Sequence, residues 1–262
     1  MKVERKIHRL ADGDWTEQSA PVVLETPLTL FFNGKETVTL LTTGDHPREL
    51  AAGFFFSEGF IEDSGDILSL YMDERAGTVN LETRNPDERM LSLFEKRIVS
   101  SGCGKGSVYY HVLDSIKAGN VTVGSDLTLR EDRVLKLMST MSRTSELYRQ
   151  TRGVHGAALC SEEKIHLFRE DIGRHNAIDK IAGHCLLEGI DPAGFALMTT
   201  GRVSSEVVIK ASRLGTQILI SRASATSLAL ELADQVGMTV IGSVRGGRMT
   251  LYAHPERLER SG

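Results

Sequence analysis

Cysteine is scarce in this chain. Only Cys103, Cys160 and Cys185 occur in 262 residues, an odd number at wide spacing. That count does not build a disulfide framework, and it points to a reducing, cytoplasmic setting. No Cys-x-x-Cys pair is present, so no structural metal is expected. No apolar run approaches the ~20 residues that span a bilayer, so no membrane segment is expected. The opening Met1-Lys2-Val3-Glu4-Arg5-Lys6 mixes charges and leads into no apolar stretch, so no secretory signal is expected. Positive charge is not in excess either: 31 Lys and Arg stand against 35 Asp and Glu, a net charge of -4. A general nucleic-acid binder is therefore not expected, while a local basic pocket is still allowed.

What is present is an ordinary globular mixture, 40% hydrophobic and 25% charged. Residues from Val22 to Leu41 read as strands, with Asn33-Gly34 as a hairpin turn. A helix opens at His46-Pro47 and ends at Glu58-Gly59. From Ile67 to Ile98 the pattern is mixed; Val79 to Glu82 alternates like a strand, and Asn85-Pro86-Asp87 is a turn. An amphipathic piece runs from Tyr109 to Ile116, and a glycine-containing connector follows at Gly119 to Asp126. One long helix is expected from Glu131 to Arg149, with Val134, Leu137, Met138, Met141 and Leu147 on its apolar stripe. The second half alternates strands near 157–160, 165–168, 196–199, 217–220, 238–241 and 249–252 with helices near 177–187, 204–214 and 226–236. Alternation of this kind predicts an α/β fold with a mixed, mostly parallel sheet and helices on both faces. The expected division is 1–125, a smaller N-terminal α+β region, and 126–262, a C-terminal α/β domain.

Polar clusters sit where strands should end. They are Arg169 to Asn176, with Asp179 and Lys180 following, then Thr199 to Glu206, Ser221 to Ser227 and Ser243 to Arg248. Each combines arginine with hydroxyls or a helix start, which suits phosphate or a guanine-type nucleotide. Plain N-capping by Ser, Thr and Asp is the competing explanation for any one of them. A different chemistry is offered by Ser100-Ser101-Gly102-Cys103-Gly104-Lys105-Gly106-Ser107. Glycines on both sides leave the sulfur unshielded, and Lys105 with free amide N–H groups favours a thiolate. A flexible connector that merely holds a cysteine is the alternative. The run is not a phosphate-binding P-loop, because Lys105 is followed by Gly106 and not by Ser or Thr. His155 lacks the glutamate two residues on that a zinc deaminase needs.

Several of these stretches together resemble one known family. They are Thr42-Thr43-Gly44-Asp45, Leu50 to Phe54, Ser57 to Ile61, Ser100 to Gly104, Gly153-Val154-His155, Glu170 to Ala177 with Asp179-Lys180, Thr200-Gly201-Arg202 and His254 to Arg257. The family is the formate dehydrogenase accessory sulfurtransferases, FdhD. The resemblance implies a cytidine-deaminase-like α/β domain without the deaminase metal. It implies a cytoplasmic sulfur carrier that accepts sulfur from a cysteine desulfurase. The sulfur goes to the molybdenum or tungsten bis-guanine-dinucleotide cofactor, Mo-bis(molybdopterin guanine dinucleotide), of the formate dehydrogenase catalytic subunit. A homodimer is also implied. Cys103 falls on the persulfide position, with Lys105 as a thiolate stabiliser. Ser243, Val244, Arg245, Gly246, Gly247 and Arg248 fall on the cofactor-binding stretch, and Arg174, His175, Arg202 and Ser204 are further candidates for it. Many relatives carry Cys-Gly-x-Cys in the loop, whereas Gly106 stands at the second position here, which leaves a one-cysteine carrier. A non-catalytic chaperone for the cofactor and a nucleotide-modifying enzyme are the competing classes.

Overall fold

The computed structural model describes residues 1–84, 97–99, 122–124 and 126–260. Cys103, Lys105, the turn at Asn85 and the amphipathic piece at Tyr109 lie outside the described residues. The first twenty-odd residues, which sequence reasoning left unread, form an antiparallel ribbon of β1 (Lys2–Ala11) and β2 (Asp14–Val23). Its turn is Asp12-Gly13, both in the left-handed region at φ 52° and 94°. An Asp-Gly pair of that kind is a strong hairpin signal.

A five-stranded sheet follows, in the order β5-β6-β3-β4-β7. Its strands are β3 (Thr26–Phe32), β4 (Lys35–Thr42), β5 (Ile67–Asp73), β6 (Thr78–Thr83) and β7 (Arg97–Val99). Leu28, Leu30 and Phe32 alternate inward along β3, the period-two signature of a strand with one buried face. The helix α1 (Pro47–Ser57) covers that face with Leu50, Phe54 and Phe55. β7 runs parallel to β4, and its last residue, Val99, stands beside Leu40.

The short strands β8 (Leu129–Arg130) and β15 (Leu258–Glu259) pair in parallel, and the larger sheet has the order β10-β9-β11-β12-β13-β14. Its strands are β9 (His155–Cys160), β10 (Ile165–Asp171), β11 (Ala196–Thr199), β12 (Ile218–Ser221), β13 (Thr239–Arg245) and β14 (Arg248–Ala253). The expectation of a mostly parallel sheet is corrected. Only β11–β12 and β12–β13 are parallel, and the other three pairings are antiparallel. For two of the three the cause is connection length: β9–β10 and β13–β14 close through short turns, and a short turn permits only antiparallel pairing. Helices do cover both faces. On one side α4 (Arg174–Glu188), α5 (Ser205–Arg213) and α6 (Ser227–Val236) bury Ile178, Val207 and Leu232 against Leu159 and Leu197. On the other, α2 (Glu131–Thr144) buries Val134, Leu137 and Met141 against Ala158 and Met198. The single helix expected to Arg149 is broken: Ser145 is extended, and its Oγ accepts from Tyr148 N to cap a separate α3 (Glu146–Thr151). Arg152, not Gly153, takes the left-handed C-cap.

The two sheets are joined by helices α1 and α4 in backbone contact. A Cβ on Gly53 would stand 1.8 Å from the Asp179 carbonyl oxygen, and one on Gly183 would stand 1.8 Å from that of Glu49. Only glycine permits such an approach. Buried charges surround the crossing. Lys180 Nζ, wholly buried, lies 2.7 Å from Asp171 Oδ2 and 2.6 Å from Asp45 Oδ1, and donates to Thr43 Oγ1. Lys210 Nζ donates to both Asp179 oxygens at 2.7 and 2.8 Å, while Ser57 Oγ donates to Asp179 Oδ1. Burial works against the Lys210 charge, but Asp179 and Glu58 outweigh it and its pKa is raised. Arg169 grips Glu49 with two hydrogen bonds of 2.6 and 2.8 Å.

Replacing Gly183 by Ala drives a methyl group into backbone that cannot rotate away. The expected loss is about 3 kcal/mol or more of unfolding free energy, measured by urea denaturation. Gly194→Ala, where a Cβ meets nothing within 4 Å, is expected to stay within about 0.5 kcal/mol of the parent.

Candidate functional site

The parallel strands β11, β12 and β13 all end on one edge, at Thr199, Ser221 and Arg245. β9 runs the other way and begins there, at His155. The loops beyond β11 and β12 are zipped together by a bridge between Val203 and Ala225. Ser221 Oγ donates to Gly201 O at 2.6 Å, and Arg222 N donates to Thr199 O at 3.1 Å. This edge is the crevice where α/β sheets take ligands.

A cleft of about 450 Å³ opens on that edge, lined by Tyr148, Arg152, His155, Thr200, Arg222 and Arg245. His155 Nδ1 is 3.2 Å from Thr200 Oγ1, which also accepts from Gly156 N. Burial lowers the His155 pKa, with Arg174 adding to the effect. A groove of about 320 Å³ shares Arg222 and Arg245 and adds Arg143, Val244 and the turn glycines. A third recess, about 360 Å³, lies by Ser243, Arg245 and Arg248. The described lining of the three contains Arg143, Arg152, Arg222, Arg245 and Arg248 and no carboxylate. In a chain of net charge -4, that local excess of positive charge is chemically suited to an anion. The donors match phosphate, each charged hydrogen bond contributing about 1.5–3 kcal/mol.

The C-terminal candidates occupy one hairpin. Arg245 pairs with Arg248, and Gly246 and Gly247 between them have φ 57° and 73°, the two positive values of a type I′ turn. Ser243 is left-handed at φ 55°. Val244 is buried against the α2 side of the sheet, while Arg245 and Arg248 are exposed. The remaining candidates stand apart. Arg174 begins α4 and packs over Gly201, whose absent Cβ would be 2.8 Å from that of Arg174. His175 Nε2 lies 3.1 Å from Glu206 Oε2. Arg202 is exposed, and Ser204 is the N-cap residue of α5 without making a capping bond. Within the Glu170-to-Lys180 motif, Asp171, Asn176, Asp179 and Lys180 serve the joint between the sheets. Asn176 Nδ2 donates to Leu41 O at 3.0 Å and to Asp171 Oδ1 at 2.9 Å.

Sequence reasoning missed Arg143, Arg152 and Tyr148. A signal existed for Arg152 alone, as the arginine directly before Gly153 at a helix end. Among the described residues, no three His, Cys, Asp or Glu side chains gather as a metal set, and no helix is long and apolar enough to cross a membrane. Cys160 and Cys185 are buried, and burial pushes their thiols to about 12 and about 11. Neither forms a thiolate readily at neutral pH.

Residues 23–259 match the model of the FdhD/NarQ family. The chain belongs to the FdhD/NarQ family. Relatives include the Sulfur carrier protein FdhD of Bacillus pumilus, 40% identical over 258 residues, which cover 98% of each chain. The Sulfur carrier protein FdhD of Bacillus subtilis is also 40% identical, covering 97% of this chain and 96% of its own. A crystal structure from Desulfotalea psychrophila, named for a formate dehydrogenase accessory role, superposes with a TM-score of 0.82. It is 26% identical and covers 98% of this chain and 99% of that one. The mixed α/β architecture described above is thus shared with another structure matched over almost its whole length.

The electrostatics of the site have a measurable consequence. Burial, with help from Lys210, Arg174 and His155, holds the His175 pKa at about 3 against an ordinary 6.5. The unfolded chain protonates this side chain near 6.5, so its contribution is complete above that pH and is lost as pH falls toward 3. The urea midpoint is expected to fall between pH 7 and pH 4.5, and to fall less in His175→Gln.

Proposed function

We propose that the chain is a sulfurtransferase of the persulfide-carrier type, working in formate dehydrogenase maturation in the cytoplasm. Its arginine-lined cleft at the carboxyl edge of the parallel strands, with no carboxylate among the described lining residues, is the observation that carries this reading. That cleft suits the phosphates of a guanine dinucleotide, and family membership supplies the sulfur chemistry. The Cys103 thiolate attacks the outer sulfur of a persulfide on a cysteine desulfurase. The S–S bond of the donor breaks, the donor cysteine leaves as a thiolate, and Cys103 becomes Cys103–S–SH with no net oxidation. Lys105 favours the anionic forms before and after transfer.

The acceptor is molybdenum or tungsten bis(guanine dinucleotide), bound as substrate and destined for the formate dehydrogenase catalytic subunit. Arg222, Arg245 and Arg248 take its phosphates. Ser243 and the Val244-to-Gly247 turn shape the floor, and Arg174, His175, Arg202 and Ser204, which stand apart from that turn, are further candidates to contact the cofactor. We place the boundary between an N-terminal unit and a cytidine-deaminase-like C-terminal unit near residue 125, and read the working form as a homodimer.

Incubation with a cysteine desulfurase and cysteine is expected to add 32 Da to the peptide holding Cys103 and nothing to those holding Cys160 and Cys185. Cys103→Ala is expected to abolish formate dehydrogenase activity in a strain lacking the native protein. Full activity in that variant marks a non-catalytic cofactor chaperone instead.

Guanosine diphosphate offers a separate check on the cleft. Arg222→Gln and Arg245→Gln are each expected to weaken its binding about tenfold by calorimetry, from the loss of one charged hydrogen bond. Unchanged binding in both removes the cleft from the account.

A further inference from the structure

Beside its cations, the cleft at the sheet edge holds a neutral group that phosphate binding leaves unused. His155 stands there at the start of β9, and Thr200 holds its ring. Thr200 is tied twice to Gly156: its N–H donates to Gly156 O, and its Oγ1 accepts from Gly156 N, both at 3.0 Å. The same Oγ1 lies 3.2 Å from His155 Nδ1. Among the described residues the Thr200 hydroxyl hydrogen has no acceptor other than Nδ1. That bond leaves the ring proton on Nε2. His155 Nε2 has no partner among the described residues, and it is not one of the atoms sealed from solvent. Its N–H therefore opens on the cleft that the residue lines. Burial, with Arg174, lowers the His155 pKa, so the ring is neutral at pH 7 and carries that single donor.

A flat wall belongs to the same cleft. Arg152, left-handed at φ 57°, closes α3 and places its guanidinium carbon 5.1 Å from the Tyr148 ring centroid. Aromatic faces and guanidinium planes are the surfaces on which heterocyclic bases stack. The cleft thus offers Arg222 and Arg245 to phosphate, and Tyr148, Arg152 and His155 to an uncharged ring.

We propose that His155 selects a keto heterocycle, its Nε2–H donating to the ring carbonyl oxygen while the ring stacks on the Tyr148–Arg152 wall. An amino group at that ring position, as in adenine, turns donor toward donor and leaves His155 unpaired. A site built to bond one ring discriminates against another for that reason. The guanine and the pterin of the proposed cofactor both carry the carbonyl edge. This inference rests on the reading of the cleft as the cofactor's phosphate site, and it adds the residue that reads the ring.

The test is calorimetry on the full-length protein with guanosine diphosphate, adenosine diphosphate, inorganic pyrophosphate and free pterin. The parent is expected to bind guanosine diphosphate about tenfold more tightly than adenosine diphosphate. His155→Leu is expected to erase that preference by weakening guanosine diphosphate alone, with pyrophosphate binding unchanged. His155→Gln, whose side-chain amide keeps a donor, is expected to retain most of it. Thr200→Val frees the tautomer and is expected to lower the preference by less; it carries the test if the histidine variant does not fold. Loss of pterin binding in His155→Leu, with guanosine diphosphate unaffected, supports the ring site and assigns it to the pterin. Binding of guanosine diphosphate and pterin that is unchanged in both His155→Leu and Thr200→Val overturns the ring site and leaves the phosphate reading standing. Binding of guanosine diphosphate that is indifferent to Arg222→Gln and Arg245→Gln overturns the phosphate reading, and this one with it.

Discussion

Helices α1 and α4 touch backbone to backbone at Gly53 and Gly183, and the seating of the smaller sheet against the larger one follows from that contact. It brings the end of β4 against the start of α4, so Leu41, Thr43 and Asp45 meet Asn176, Asp171 and Lys180. Lys180 is fully buried between two carboxylates. Taking such charges out of water is expensive, and removing one partner would leave another uncompensated. The joint therefore tolerates little variation in geometry. What it positions is the exit of β7 on one side and the α4–α5 ends on the other.

The residues of the joint explain why the most distinctive stretch of sequence has a double character. Glu170 to Lys180 reads as an anion-binding cluster, because its residue types are those of one. Sequence shows the types but not the directions. Asp171, Asn176 and Lys180 face inward, toward partners some 130 residues away, and those partners cannot be read locally. Arg174 and His175, directly before Asn176, lie instead against Gly201 and Glu206. The same limit hid Arg143 and Arg152, which join the cleft through tertiary placement and not through any motif.

Local signals were read correctly where the physics is local. Asn33-Gly34 marks the hairpin between β3 and β4, and the apolar stripe at Val134, Leu137, Met138 and Met141 is the buried face of α2. The expectation of a mostly parallel sheet failed because two hairpins add antiparallel pairings at positions where the strand pattern alone is silent. Ser145 broke an apparently continuous helix because its hydroxyl serves Tyr148 N. The ribbon of β1 and β2 was announced by Asp12-Gly13 and went unread. Of the stretch Ser243 to Arg248, Arg245 lines the cleft, and Arg222 joins it from the end of a different strand, a neighbourhood that no local motif displays.

In the proposed function, the sulfur carried by Cys103 and the arginine-lined cleft at the sheet edge serve one reaction. The most direct measurement loads Cys103 with radioactive sulfur, removes the donor, and adds the guanine-dinucleotide cofactor with apo-formate dehydrogenase. The account predicts that label leaves this protein and appears with the cofactor as enzyme activity develops. Activity that develops while the label stays on Cys103 would contradict it.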